Sequence, residues 1–518
     1  MKIVTVEQMQ TIERSANAAG LSYETMMHNA GRGIADWVYQ HIFDWQNVIG
    51  LVGSGNNGGD TIIALNILAK RGLRTIAFLL KDRGDDPLLE NYRMSGGAVV
   101  DLSGNEKLDV FHASLVPGTV VLDGILGTGL KLPLRGSLQV VMANTRKLLE
   151  KRLDLLLIAV DCPSGVDCDT GEVSEVTIRA DHTLTMAAMK QGLLRHPARA
   201  YAGDLHYIGI GIDDLSKHLA ACLPVMIDQD VISSNFPERP EGGHKGTFGT
   251  CLVLAGSAPY TGAAYLTGKS AYRAGCGLVN MAAIEDVHHS LSGCLIEAVW
   301  TLIPDLSGAY DPQGVEILRH SMSNTDAMVI GPGWGLCDKN AEFLGGVLPI
   351  LPKDLPTLFD ADGLKLLTQI KNWWTLLPEK SVLTPHPGEM AVLTGLDVDQ
   401  IQSNRWEIAR HYADLWHVVL VLKGAITVIA APGEDVHINP ISDAALATAG
   451  SGDVLSGVIG GLMAQGISAH TASLLGVWTH AQAGLLARSK LGTDLSVTAL
   501  DILESLPDAF VKAKEAGG

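Results

Sequence analysis

Along the chain, short runs of apolar residues alternate with longer stretches in which apolar positions recur at helical spacing. Val48-Ile49-Gly50-Leu51-Val52-Gly53 is continuous enough to predict a buried strand, and Ile62, Ile63, Leu65, Ile67 and Leu68 predict a helix over 61–71. Strand-like runs over 75–80, 120–122 and 155–160 follow. Strands that are apolar on both faces, interleaved with helices, predict a parallel sheet covered on two sides. The rhythm restarts at 250–255, with a helix over 262–274 and strands over 277–282, 327–330, 357–360 and 418–422. Between these halves Pro224, Pro237 and Pro240 stand among Asp228, Asp230, Glu238 and Glu241, a break that predicts a boundary near residue 240. The expected organisation is an N-terminal domain over 1–215, a linker over 216–240 and a C-terminal domain over 241–518.

The chain has 518 residues, too many for a single core. Its 47 % apolar and 18 % charged residues describe a packed globular protein and exclude disorder. A formal charge of −18 argues against a nucleic-acid or anionic-membrane surface, both of which need a basic footprint. Residues 454–487 contain no Asp, Glu, Lys or Arg. Gly460-Gly461, Gln465-Gly466, His470 and His480 interrupt that stretch, so two buried helices joined at 465–468 are expected, and no membrane span. The seven cysteines, Cys222 among them, form no Cys-x-x-Cys pair, which points away from a zinc site or a disulfide framework. No apolar segment precedes Glu7 and Glu13, so a signal peptide is not expected and a cytoplasmic location is. A homo-oligomer is compatible with all of this and required by none of it.

Three loops at predicted strand ends carry the N-terminal chemistry. Gly53-Ser54-Gly55-Asn56-Asn57-Gly58-Gly59-Asp60 joins a strand to a helix, where backbone N–H groups bind phosphate and glycines allow close approach. Asp123 and Asp161 each follow an apolar run directly, where a buried carboxylate needs a partner or serves a turn. A hard monovalent cation held by Asn, Asp and Ser oxygens would satisfy such a set. The order of these motifs resembles the N-terminal domain of the YjeF family, the NAD(P)H-hydrate epimerases, over most of residues 1–215. That resemblance implies a Rossmann-like three-layer domain in which Asn57, Asp123 and Ser164 bind potassium. It implies that Asn56, Asn57, Gly58, Gly59 and Asp60, with Gly127, Thr128, Gly129, Leu130, Lys131, Leu132 and Pro133, grip the hydrated nucleotide. Asp161 is then the acid/base and Lys190 assists. Thr61 stands where glycine is usual, and Cys162 where an aliphatic residue is; both changes flank the motifs.

The C-terminal half carries four motifs, three after predicted strands and the last opening a predicted helix: Gly331-Pro332-Gly333-Trp334-Gly335, Thr384-Pro385-His386-Pro387-Gly388-Glu389, Lys423-Gly424-Ala425-Ile426-Thr427 and Ala449-Gly450-Ser451-Gly452-Asp453. Consecutive N–H groups at the last helix start can hold a transferring phosphoryl group, and Asp453 can take the proton of an attacking hydroxyl. An N-capping role for Asp453, a solvated Lys423 and a structural His386 are the plainer alternatives. The set resembles the ribokinase-like α/β fold and, within it, the NAD(P)H-hydrate dehydratases over about residues 241–512; Asp360-Ala361-Asp362-Gly363-Leu364 fits that pattern too. The resemblance implies hydrate contacts from Ala263, Gly333, His386 and Asp453, with nucleotide contacts from Lys423, Gly424, Ala425, Ile426, Thr427 and Gly452. Trp334 stands where a smaller apolar residue is common. Phosphoryl chemistry implies Mg²⁺ with ADP or ATP, Glu389 being a candidate ligand.

Together the two resemblances imply repair of hydrated NADH and NADPH: R and S hydrates are interconverted by one domain, and the S hydrate is dehydrated by the other. The rivals are a ribokinase-like vitamin-precursor kinase with a non-catalytic N-terminal domain, and a scaffold protein of RNA decay.

Overall fold

A computed structural model describes residues 1–41, 47–102, 108–219 and 223–515; Cys222 lies outside them. The other six cysteines are free thiols. The chain divides into two compact units, Met1–Leu223 and Pro224–Gly518.

The first unit is built on a seven-stranded sheet, every neighbouring pair parallel. Its order runs Ala98–Asp101, Arg74–Leu79, Asn47–Val52, Thr119–Gly124, Leu155–Val160, His182–Met186, Asp204–Ile208. The chain leaves Asn47–Val52 toward one edge and returns on its other side at Thr119–Gly124. This is a topological switch point, where strand ends leave a crevice for ligand. Alternation along the strands sends Val48, Val52, Val120 and Leu122 into one core and Ile49, Leu51 and Val121 into another, so helices cover both faces. The helix after the first strand spans Asn56–Lys70 and starts five residues earlier than its apolar periodicity indicates. Asn57, Gly58, Gly59 and Asp60 are therefore buried in its first turns. A parallel pair of Ile3–Val4 with Met189–Lys190 completes the unit.

The second unit holds a ten-stranded sheet in which Thr250–Leu254 and Ala327–Ile330 are adjacent interior strands. The expected strands are present, and one expectation needs correction. The segment 216–240, read as a linker, is partly built into the sheet: Val225–Met226 pairs with His437–Asn439, and Gln229–Ser234 is a helix. The acidic composition that marked it as linker includes a helix cap, since the Asp228 carboxylate accepts the Val231 N–H. The sheet is also not wholly parallel. Val419–Leu422 and Thr427–Ala430 pair antiparallel because the short 423–426 connection can only reverse the chain. Ser451–Ala464 and Ala469–Leu491 form the two buried helices expected there. Among the described residues no helix is long and apolar enough to cross a membrane.

Trp334 is absorbed into the core. Its indole N–H donates to the Leu254 carbonyl at 2.9 Å, and its ring packs against Tyr310 and Phe343. Trp334→Ala should cost about 3–5 kcal/mol of unfolding free energy for the second unit, read from the midpoint shift in urea.

Candidate active sites

In the first unit the three strand-end loops meet. The Asn57 amide donates to the carbonyls of Leu126 (3.1 Å) and Val160 (2.6 Å), stitching the ends of two strands together. The Ser164 hydroxyl donates to Asp123 at 2.6 Å and accepts the Leu126 N–H at 2.9 Å, while the Ser164 N–H donates to the other Asp123 oxygen. Asn57, Asp123 and Ser164 are thus brought together around Leu126. Burial pushes the Asp123 carboxyl up from its ordinary value, with Ser164 and Ile125 donors pulling it back. Among the described residues no cationic side chain pairs with Asp123, and the Asn57, Asp123 and Ser164 oxygens are of the type a hard cation takes.

Helix Asn56–Lys70 begins at Gly55 with no side-chain cap, leaving N–H groups at its start for an anion. Gly53 is a true close approach: a Cβ there would lie 1.8 Å from the Ile125 carbonyl oxygen. Arg83 donates to the Gly53 and Gly55 carbonyls and pairs with Asp86, holding the loop from behind. Gly127 packs against Asn57, where a Cβ would lie 2.6 Å from its oxygen. Thr128 to Pro133 continue as a half-buried to exposed loop that lies open at the strand ends.

Asp161 stands immediately after its strand with φ of 64°, a conformation uncommon outside glycine, asparagine and aspartate. Its Oδ1 accepts from the Met186 N–H at 3.0 Å and from the Lys190 ammonium. Lys190 is 1 % exposed and also donates to the Met186 carbonyl at 2.8 Å. Asp60 is pushed well up, first by burial, then by the charges of Asp161 and Glu13. Glu13 is raised as well, mainly by burial, with Lys190 opposing. One buried ammonium therefore stands among several carboxyls, two of which burial and mutual repulsion push up. Glu13 and Arg83 were invisible in the sequence, because each reads locally as a solvated helix or loop charge.

In the second unit the predicted motifs also converge. The Lys423 ammonium donates to the Asp360 carboxylate at 2.6 Å, and the Ser456 hydroxyl donates to the other Asp360 oxygen at 2.6 Å. Asp360 thereby ties the 423–426 turn to helix Ser451–Ala464. That helix opens at Gly450 (φ 86°) without a side-chain cap, so its first N–H groups can receive an anion. A Cβ on Gly452 would sit 3.3 Å from the Lys423 ammonium, which places the cation beside this helix start. Asp453 is raised to about 7, by burial first and the Asp360 charge next; Lys423 lowers it, and Asp362 and Glu389 add smaller upward pushes. A carboxyl poised there accepts a proton near neutral pH. Lys423 itself is raised despite burial, because Asp360 and Glu389 hold its charge.

His386 caps helix Pro387–Thr394. Its Nδ1 accepts the Gly388 and Glu389 N–H groups at 3.0 and 3.3 Å, leaving Nε2 3.3 Å from the Glu389 carboxylate. Burial lowers its pKa, so the ring is neutral at pH 7. The ring is half exposed, so capping leaves a face free for ligand. Gly333 and Ala263 pack together, since a Cβ on Gly333 would lie 2.7 Å from the Ala263 methyl, and the Ser257 hydroxyl fixes the Gly333 carbonyl at 2.8 Å. His480, read only as a helix interruption, holds the Ser451 hydroxyl at 3.0 Å. Burial pushes it down to about 4, so it is neutral. Among the described residues no three His, Cys, Asp or Glu side chains form a ready-made metal site.

The raised Asp453 has a stability consequence. Its folded pKa, about 7, exceeds the ordinary carboxyl value of 3.8, so the native state binds the proton more tightly and loses stability as pH rises between those values. Asp453→Asn should therefore raise Tm at pH 8, and the gain should shrink toward zero by about pH 4; a pH-independent gain would contradict the burial argument.

Two family models match the chain: one described as YjeF-related protein N-terminus over residues 23–192, the other as NAD(P)H-hydrate dehydratase over residues 251–508. The bifunctional NAD(P)H-hydrate repair enzyme of Moorella thermoacetica is 34 % identical over 518 residues, covering 98 % of this chain and 96 % of that one. Its counterpart in Escherichia coli K12 is 31 % identical over 501 residues, covering 95 % and 90 %. An ADP/ATP-dependent NAD(P)H-hydrate dehydratase from Bacillus subtilis, co-crystallised with ATP and Mg²⁺, shares 30 % identity over 56 % of this chain and 99 % of that one, with a TM-score of 0.48. The first unit is a Rossmann-like α/β domain with a wholly parallel sheet, and the second is an α/β domain that matches the dehydratase family model. With relatives at this identity spanning nearly its whole length, the chain belongs to the bifunctional NAD(P)H-hydrate repair enzymes.

Proposed function

We propose that the first unit equalises the R and S hydrates of NADH and NADPH and that the second dehydrates the S hydrate at the expense of ADP or ATP. The observation that carries this reading is a pair of separate acid/base centres. Asp161 with Lys190 lies beside an uncapped helix start in one unit, and Asp453 with Lys423 lies beside another in the second.

For epimerisation, the hydrate's pyrophosphate meets the N–H groups of the 56–60 turn, and the 127–133 loop covers the nicotinamide end. A proton held between Lys190 and Asp161 passes to the ring hydroxyl. The ring nitrogen's lone pair then expels water, and water returning to the opposite face gives its proton back to Asp161. The oxygen set supports a potassium ion held by Asn57, Asp123 and Ser164, which supplies a fixed positive charge among buried oxygens.

For dehydration, Asp453 takes the proton of the ring hydroxyl as that oxygen attacks the terminal phosphoryl group, and the shortened nucleotide leaves. Lys423 and the N–H groups near Gly452 hold the transferring charge. The C–O bond of the phosphate ester then breaks with help from the ring nitrogen, and loss of a neighbouring ring proton restores the dihydronicotinamide. Mg²⁺ accompanying the nucleotide neutralises phosphate charge, with Glu389 as a candidate protein ligand. Ala263, Gly333 and His386 line the hydrate side of this site.

Incubating purified chain with hydrated NADH, ADP or ATP and Mg²⁺ should restore absorbance at the reduced-nicotinamide band; a stable phosphorylated product without that recovery would mean a kinase. Asp453→Asn should lower dehydration by about a hundredfold or more while R and S hydrates still equalise. Asp161→Ala should equalise them no faster than buffer. Because Asp453 must be ionised, the dehydration rate should fall about tenfold per unit below a pH near 7.

A further inference from the structure

Arg405 opens helix Arg405–Trp416 directly behind the 423–426 turn. A single nitrogen of its guanidinium, Nη2, donates to the carbonyls of Leu422 (2.8 Å), Lys423 (2.9 Å) and Ile426 (2.8 Å). Nη1 donates to Gln402, and Nε is buried without a partner. Among the described residues no carboxylate neutralises this cation, and burial alone lowers its pKa, to about 10, so it stays charged at pH 7. It also stands at the positive end of its own helix, where a cation is disfavoured. Burial, lack of a counter-charge and helix polarity all work against Arg405, and an anionic ligand at the turn would offset each of them.

The turn is shaped to this arrangement. A peptide's N–H and C=O are antiparallel, so drawing the Lys423 carbonyl onto Arg405 turns the Gly424 N–H to the opposite side. Gly424 lies so near the guanidinium that a Cβ would sit 2.8 Å from Nη2. The glycine and the arginine are a matched pair, and the loss of either moves the other.

We propose that Arg405 is a positioning residue for the nucleotide: it holds the 423–426 turn with its N–H groups outward and lends the turn an unneutralised positive charge for phosphate. This rests on the reading of that turn as the nucleotide site. The side chain does not touch the reacting hydroxyl, so its effect falls on nucleotide affinity and spares the chemical step.

The test is steady-state dehydration by the full chain, with ADP and ATP varied at saturating hydrate and the reverse. Arg405→Met should raise the nucleotide KM about tenfold to a hundredfold, leaving kcat and the hydrate KM within about threefold. Arg405→Lys should regain most of that loss, whereas Arg405→Gln, which keeps donors without charge, should not. An unchanged nucleotide KM in Arg405→Met overturns the proposal, as does equal rescue by Gln and Lys, or a parallel fall in kcat with the hydrate KM disturbed. If Arg405→Met does not fold, Gly424→Ala carries the question: a raised nucleotide KM is expected and an unchanged one overturns the proposal. A wild-type chain whose dehydration needs no nucleotide refutes the underlying site reading instead, whatever the variants do.

Discussion

A strand buried on both faces has nowhere to put a charge except at its ends, and in both units the chemistry follows from that constraint. Asp161 follows Leu155–Val160 and is met by Lys190; Asp360 follows Thr357–Phe359 and is met by Lys423. In each case the partner ammonium arrives from a different segment of the chain, so the ion pair also fixes how the two segments stand to each other. Helix starts at Asn56 and Ser451 add N–H groups at the same ends of the sheets, which makes each crevice receptive to a phosphate as well as a proton.

Such pairs are weak contributors to stability, because desolvation offsets most of their attraction, but they are strongly directional. Other costs gather at the same places. Asp161 and Ala361 both hold positive φ without being glycine, and Asp453 keeps a carboxyl raised to about 7 by burial and by acidic neighbours. Each is unfavourable for folding and useful to a site that must hand a proton to or from a hydroxyl. The energy that tolerates them comes from the two apolar cores on the faces of the first sheet and from the large buried helices of the second unit.

The two sites differ in what holds their polar groups. Around Leu126 the set is neutral oxygen atoms and one carboxylate, suited to a hard cation. Around Asp453 the set is acidic, relieved by Lys423, with Arg405 standing behind the turn that carries it. That difference matches the proposed roles, one site protonating and releasing water and the other activating a hydroxyl toward phosphate.

The strands, the restart of the α/β rhythm at residue 250 and the strand-end motifs were legible in the sequence, since burial on both faces leaves continuous apolar runs and ligand loops collect glycine. The early start of helix Asn56–Lys70 was not, because glycine and asparagine carry no apolar period, and 216–240 looked like linker because a capping Asp and a proline look the same in a turn. The convergence of Asn57, Asp123 and Ser164, and of Asp360, Lys423 and Asp453, was implied by motif order; their partners were not. Glu13, Arg83, Arg405 and His480 lie in segments with no motif, and each acquires its role from residues distant along the chain. Sequence alone determined which residues could do the chemistry, because that depends on side-chain type next to a strand end. Only the tertiary structure decided their charge states and orientation, because burial and through-space neighbours are properties of the packed chain.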